Sequence, residues 1–140
     1  MTSFWTEENV KSTLPKRETS GHKGTYGTGL LLAGSEDMPG AALLSGLGAM
    51  RSGIGKLEIG TVEEVIPYVV PILPEATYLK NGLKKLEDDK ADLSRYKAIA
   101  AGPGIEPAEE TEKAIRIAPS CWMLGRYLRE RIRKENHLLF

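Results

Sequence analysis

The stretch GLLLAGSEDMPGAALLSGLGAMRSGIGKLEIGT, residues 29–61, decides the fold class. It opens with an apolar run between two glycines, Gly29–Gly34, which is typical of a strand buried on both faces. Pro39 suits the first turn of a helix that continues to about Arg51, and Lys56–Thr61 is typical of a second strand. Strand, helix and strand in this order predict a βαβ unit with parallel strands and a right-handed crossover.

The same alternation continues on both sides of this unit. The sequence predicts a short helix after Thr6 that ends at Pro15, a helix over 62–70, a short strand within 74–78, a solvated helical or loop connection over 80–95, a strand over 96–102 and a helix that opens at Pro107. Alternating strands and helices predict the α/β class, with a mainly parallel sheet flanked by helices.

Composition excludes several classes of protein. A length of 140 residues predicts about one domain, and 19 basic against 19 acidic residues favour neither nucleic acid nor an anionic membrane as a partner. One cysteine excludes an internal disulfide framework, and no apolar run has the ~18 residues that a membrane helix needs. We therefore expect a cytoplasmic chain. From Pro119 onward there are five basic and two acidic residues, so the tail is more basic than the rest of the chain.

Three glycine-marked segments stand out at the expected carboxyl ends of strands, where open α/β sheets bind ligands, and the third of them is the segment 22–27 around Lys23. In the first, Gly34-Ser35 precedes the helix start at Pro39-Gly40-Ala41, where small residues would let a phosphate or ribose approach the backbone. The alternative is tight strand–helix packing, and the spacing matches neither a Walker A loop nor G-x-G-x-x-G. In the second, Gly102-Pro103-Gly104 forms a rigid turn that suits a polar or anionic ligand, or is an ordinary turn.

Other chemistry-bearing residues are isolated in the sequence. Lys23, beside Gly24, would face a phosphate or simply be solvated. Cys121 has no histidine nearby to activate it, and His22 and His137 lie too far apart for metal-ligand spacing. We therefore predict no metal site and no nucleophilic residue.

Residues 4 to about 118 resemble the N-terminal part of the ADP/ATP-dependent NAD(P)H-hydrate dehydratases, a branch of the ribokinase-like fold. The resemblance lies in four stretches: FWTE at 4–7, HKGTYGTGLLLAGSEDMPGAALLSGLGAMRSGIGKLEIGT at 22–61, VIPYVVPILPEATY at 65–78 and AIAAGPGI at 98–105. The block at 22–61 is specific evidence for this family, whereas the Gly-Pro-Gly turn alone would be weak evidence.

The resemblance implies a function, cofactors and site residues. Enzymes of this family repair hydrated NADH or NADPH: they phosphorylate the added hydroxyl from ADP or ATP with Mg²⁺, then eliminate phosphate, usually as homo-oligomers such as tetramers. Ala41 and Gly104 match positions that contact the hydrated dinucleotide, and Gly102 adjoins them. Lys23 and Gly24 match a recurring pair, a possible phosphate contact.

The family's later motifs are missing from this sequence. Leu-Asp-Ala-Gly, Thr-Pro-His-Pro-Gly-Glu and the Gly-Thr-Gly-Asp anion hole with its catalytic aspartate do not occur. Reading the tail from the third base of the Cys121 codon permits Leu-Asp-Ala-Gly, which predicts a frameshift just before that residue. We therefore expect a partial ribokinase-like fold over 1–118, truncated before the nucleotide-binding half and inactive alone, with a non-homologous basic tail over 119–140.

The tail is expected to form a basic amphipathic helix that includes Trp122 and Leu124. Two alternatives to the dehydratase remain open at this stage. One is another ribokinase-like small-molecule kinase, and the other is a non-catalytic module whose basic tail binds a partner.

Overall fold

The structure is a computed structural model that describes residues 6–13, 19–22, 24, 26–88, 92–106 and 121–124. The helices are α1 (Glu7–Thr13), α2 (Pro39–Arg51), α3 (Ile66–Val69) and α4 (Gly82–Glu87). The strands are β1 (Thr28–Leu32), β2 (Lys56–Thr61), β3 (Thr77–Lys80), β4 (Ala98–Ala101) and β5 (Cys121–Leu124). Short 3₁₀ turns over Glu63–Val65 and Leu93–Arg95 precede α3 and β4.

The five strands form one parallel sheet in the order β3-β2-β1-β4-β5. At the centre of the sheet Leu31 of β1 pairs with Ile59 of β2 on one side and with Ala100 of β4 on the other. The α/β class and the parallel sheet predicted from the sequence are therefore confirmed. The chain runs outward from β1 in one direction through β2 and β3, and in the other direction through β4 and β5.

Apolar residues cover both faces of the sheet, as continuous apolar strands require. On one face Leu32 and Ile99 pack with Leu86 of α4, which is 1% exposed. On the other face Leu31 and Ile59 belong to a larger cluster beneath α2 and α3. The sheet is thus the middle layer of a three-layer arrangement.

The predicted boundaries hold best around β1, α2 and β2, and the opening helix is confirmed with Thr6 at its N-terminus. There the Asn9 N–H donates to Thr6 Oγ1 at 3.3 Å. The predicted third strand is displaced, because β3 begins at Thr77, which pairs with Glu58, rather than at Pro74. Pro74 has no N–H to contribute to a strand ladder.

The prediction of a solvated connection over 80–95 is wrong for α4. Gly82 and Leu86 are buried, and Leu83 packs at the edge of the same core cluster. The helical alternative predicted for this connection is confirmed, because these residues belong to a short amphipathic helix that covers one face of the sheet.

The helix predicted for the tail is wrong where the structure describes it. Cys121–Leu124 form β5, parallel to β4, with a register shift between Ile99 and Ala100. Without β5, the outer edge of β4 would present backbone N–H and C=O groups that an extended apolar segment can pair. The helix predicted from Pro107 lies outside the described residues, and the division of the chain near residue 118 stays a prediction.

Candidate functional site

The candidate site lies at the carboxyl ends of the two central strands. β1 and β4 are neighbours, but the chain after β1 passes through α2 to β2 on one side, whereas β5 lies on the other. This reversal is a topological switch point, where the connections diverge and leave a crevice that open α/β sheets use for ligands. Gly34 and the Gly102-Pro103-Gly104 turn lie there because they follow β1 and β4.

Backbone hydrogen bonds hold the Gly-Pro-Gly turn against the end of β1. The Gly102 N–H donates to the Leu32 carbonyl at 3.2 Å, and the Gly34 N–H donates to the Pro103 carbonyl at 2.8 Å. Gly34, Gly102 and Gly104 have φ angles of 81°, 136° and 66°, which L-residues with a side chain rarely adopt. Glycine is therefore required at these positions by the backbone itself.

The turn also packs closely on the N-terminal end of α2. A Cβ placed on Gly104 would lie 2.5 Å from the Ala41 Cβ and 3.1 Å from the Met38 carbonyl oxygen. Ala41 in turn donates its N–H to that carbonyl at 3.2 Å. The structure thus brings together Ala41, Gly102 and Gly104, the three residues for which the sequence predicts substrate contact. Their contact with a substrate stays a prediction.

Two buried hydroxyls beside this turn have no hydrogen-bond partner among the described residues. They belong to Ser35, which is 9% exposed, and to Thr61 at the end of β2, which is 4% exposed. A Cβ on Gly34 would lie 3.1 Å from Thr61 Oγ1, so Gly34 connects the two strand ends. Buried hydroxyls are normally hydrogen-bonded, so each unpaired one calls for a missing ligand or water.

Sequence reasoning missed Thr61 as a site residue because it was assigned only to a strand. The available signal was a hydroxyl residue that ends the strand after the apolar Ile59 and Gly60. Strand ends of a parallel sheet meet at one edge, but the sequence alone does not say which ends are adjacent.

A pocket of about 260 Å³ adjoins the crevice over the carboxyl ends of β2 and β3. Gly34 and Thr61 lie at its border with the crevice, and the start of α4 forms its other wall. The lining residues are Gly34, Gly60, Thr61, Val62, Asn81, Gly82, Leu83 and Lys84. The crevice and the pocket therefore form a continuous surface along one edge of the sheet.

Of the predicted phosphate contact at Lys23 and Gly24, the structure describes only Gly24. Gly24 precedes the amino end of β1, and its N–H donates to Nδ1 of His22 at 3.1 Å. Lys23 lies outside the described residues. A role of this pair in phosphate binding stays a prediction.

The amino ends of the strands carry a different arrangement of charge. Glu58 of β2 has a carboxylate that is 9% exposed and accepts hydrogen bonds from the Arg95 guanidinium and the Tyr96 hydroxyl. Burial, followed by the hydrogen bond to Glu58, raises the pKa of Tyr96 from 10.0 to about 12. The hydrogen bond to Glu58 is also the main reason why the pKa of Arg95 is raised. The Glu58 carboxylate therefore has its hydrogen-bond donors, Arg95 and Tyr96, within the protein.

Part of this cluster borders a second pocket, of about 450 Å³, which mixes both signs of charge. Its charged lining residues are Lys56, Glu58, Glu75 and Arg95. Within the described ranges no three His, Cys, Asp or Glu side chains are grouped as ligands for a metal ion. No described helix has the length and apolar character to span a membrane.

Comparison with known proteins identifies relatives over most of the chain. The family model described as NAD(P)H-hydrate dehydratase matches residues 29–120. An ADP-dependent (S)-NAD(P)H-hydrate dehydratase of Bacillus subtilis is 62% identical over 112 residues. This match covers 80% of the present chain and 40% of the relative, so the chain spans well under half of that protein's length.

Solved structures show the same relationship in three dimensions. The crystal structure of an ADP/ATP-dependent NAD(P)H-hydrate dehydratase from Bacillus subtilis, co-crystallised with ATP/Mg²⁺, matches with a TM-score of 0.77 and 60% identity. The match covers 84% of the present chain and 42% of that chain. A ribokinase-like superfamily protein from Enterococcus faecalis matches with a TM-score of 0.66 at 15% identity, over 88% of this chain and 47% of that one. That likeness confirms the predicted ribokinase-like fold.

Proposed function

The chain belongs to the NAD(P)H-hydrate dehydratase family, and we propose that it forms the part of such an enzyme that binds the hydrated dinucleotide. The complete reaction proposed for the enzyme is the phosphorylation of the hydroxyl added to hydrated NADH or NADPH, followed by elimination of phosphate. In this proposal the present chain supplies the crevice at the switch point between β1 and β4.

The observation that carries the proposal is the meeting of three distant segments in that crevice. The Gly34 N–H at the end of β1 donates to the Pro103 carbonyl at 2.8 Å, and a Cβ on Gly104 in the same turn would lie 2.5 Å from the Ala41 Cβ at the start of α2. Side chains larger than these would fill the space above the strand ends. Small residues leave room for a dinucleotide to approach the backbone, and the N-terminus of α2 favours negative charge there.

The nucleotide that donates the phosphoryl group is proposed to be ADP or ATP with Mg²⁺, as the names of the relatives indicate. Among the described residues no three His, Cys, Asp or Glu side chains are grouped to hold that metal ion. The printed sequence also contains no Gly-Thr-Gly-Asp. We therefore expect this chain by itself to bind the substrate side without completing the reaction.

A matched pair of glycine-to-alanine variants tests this proposal. At Gly104 a new Cβ would collide with Ala41, whereas at Gly48, on the exposed face of α2, it would meet open space. We expect Gly104→Ala to weaken binding of hydrated NADH by about tenfold or more, which corresponds to ~1.4 kcal/mol. Gly48→Ala should bind like the wild type, and thermal melts would establish that both variants are folded.

Calorimetric titration of the full chain with hydrated NADH provides the measurement. Unhydrated NADH, titrated in parallel, reports whether the added hydroxyl contributes to recognition. Absence of binding to the wild type, or equal binding by the two alanine variants, would contradict the proposed function.

A further inference from the structure

The pocket beside the crevice exists because two glycine backbones touch. A Cβ on Gly82 would lie 2.6 Å from the Gly60 Cα, so Gly82 has no room for a side chain without a shift of the backbone; a Cβ on Gly60 would lie 2.6 Å from the Leu32 side chain and 3.3 Å from the Gly82 Cα. This contact seats the start of α4 directly on the end of β2. The Asn81 N–H then donates to the Thr61 carbonyl at 2.7 Å, and Asn81 itself adopts a left-handed conformation with φ 53° and ψ 47°.

The charge around this pocket is positive. Lys84 lines it and forms no ion pair within the part of the chain that the structure describes, and no acidic residue is among the lining residues. The nearby Glu63 carboxylate accepts from the Lys80 ammonium at 2.6 Å, so its charge is already compensated. A pocket whose one charged lining residue is a lysine favours an anionic occupant.

The hydrogen-bonding groups and the volume of the pocket restrict the chemical class of ligand that it can hold. Thr61 contributes a buried hydroxyl without a partner among the described residues, and the exposed Asn81 contributes an amide. The volume of about 260 Å³ is below the ~300–1,000 Å³ of pockets that hold a whole drug-sized ligand. It suits a phosphate with part of a sugar rather than a complete dinucleotide.

The pocket and the crevice share Gly34, so one ligand can reach both. We propose that the pocket is a phosphate subsite of the dinucleotide site, in which Lys84 supplies the positive charge and Asn81 and Thr61 supply hydrogen bonds. This inference rests on the proposed function. The phosphate comes either from the pyrophosphate, which hydrated NADH and hydrated NADPH share, or from the 2′-phosphate that only hydrated NADPH carries.

Lys84→Gln is the direct test, with Lys56→Gln as its matched control at the opposite end of β2. We expect Lys84→Gln to weaken binding by about fivefold at low salt, as expected for the loss of one partly screened charge pair. The difference should shrink at high salt, and Lys84→Arg should retain most of the affinity. Lys56→Gln should bind like the wild type.

Titrations of the full chain with hydrated NADH and with hydrated NADPH distinguish the two sources of phosphate. Equal weakening for both ligands identifies the pyrophosphate, and weakening for hydrated NADPH alone identifies the 2′-phosphate. Unchanged binding of both ligands by Lys84→Gln, together with a loss in Gly104→Ala, would overturn the subsite and leave the proposed function standing. Absence of binding to the wild type would overturn both.

Discussion

The buried polar groups at the two ends of the sheet differ in whether their hydrogen bonds are satisfied within the protein. At the amino ends, the buried Glu58 carboxylate is paired with Arg95 and hydrogen-bonded to Tyr96, so the cluster is satisfied within the protein. At the carboxyl ends, the hydroxyls of Ser35 and Thr61 are buried without partners among the described residues. Because unsatisfied buried groups are destabilising, their grouping at one end indicates a place where a ligand completes the hydrogen bonding.

The backbone shows a narrower contrast, because Gly27 and Gly53, which precede β1 and β2, also have positive φ angles of 80° and 95°. Gly34, Gly102 and Gly104 have left-handed φ angles and lie together at the carboxyl ends. The Glu58 cluster instead follows ordinary strand and turn geometry, with Arg95 in a 3₁₀ turn whose Asp92 accepts from the Ser94 N–H at 3.0 Å. Conformations that only glycine adopts easily are retained where close approach is needed. We therefore interpret the amino end as structural and the carboxyl end as functional.

The largest effect is expected when the amino-end cluster is broken. Arg95→Met removes the cation and leaves the Glu58 carboxylate buried with the Tyr96 hydroxyl as its partner. We expect a loss of about 2–3 kcal/mol in the free energy of unfolding, because the buried Glu58 carboxylate loses a charged hydrogen-bond partner, whereas the Arg95 side chain is itself 56% exposed. Urea denaturation at neutral pH measures it, with Arg51→Met at the exposed end of α2 as the control. A loss no larger than that of the control would show that the cluster is dispensable.

Gly34→Ala should be the next largest change. The new Cβ would lie 2.9 Å from the Ala42 Cβ, on a backbone with φ 81°, so overpacking and strain add. We expect a loss of about 2 kcal/mol in the free energy of unfolding. The control is Gly48→Ala, which should gain up to ~1 kcal/mol from helix propensity. Similar stabilities of the two variants would argue against a rigid junction at the end of β1.

Removing one hydroxyl from the amino end should lower stability, whereas removing one from the carboxyl end should not. Tyr96→Phe deletes a hydroxyl that donates to Glu58, and should cost about 1 kcal/mol. Thr61→Val deletes a buried hydroxyl without a partner among the described residues, so the free protein should be unchanged or more stable by up to ~1 kcal/mol. Chemical denaturation of both variants without ligand tests this. A clear destabilisation by Thr61→Val would mean that its hydroxyl is satisfied in the free protein.

The last expected effect is a dependence of stability on pH that comes from Tyr96, which is partly exposed, so solvent screening reduces it. Its pKa is about 12 in the folded chain, against 10.0 for the ordinary group, so folding keeps the phenol protonated. The stabilisation is complete below pH 10 and is lost as pH rises through 12. Denaturation of wild type and Tyr96→Phe between pH 8 and pH 11.5 should show their difference shrinking above pH 10. A constant difference would contradict the raised pKa.

The sequence by itself determined much of the fold. The bounds of β2 agree with the predicted Lys56–Thr61, because an apolar segment between glycine-rich turns is a local signal. The same locality explains the Gly102-Pro103-Gly104 turn and the helix that begins at Pro39. The block at 22–61 also carried the family resemblance, which the comparisons confirm. These properties depend on neighbouring residues and can be recognised without knowledge of the sheet.

Only the tertiary structure decided which strand ends meet. Gly104 contacts Ala41, and Gly34 lies beside Thr61, because β1 is placed between β2 and β4. Strand order arises from long-range packing, so it cannot be predicted from any one residue. For the same reason Leu86 could not be recognised as core, and Glu58 could not be recognised as the partner of Arg95, 37 residues away. The unpaired Thr61 hydroxyl, and with it the proposed phosphate subsite, is a consequence of that packing.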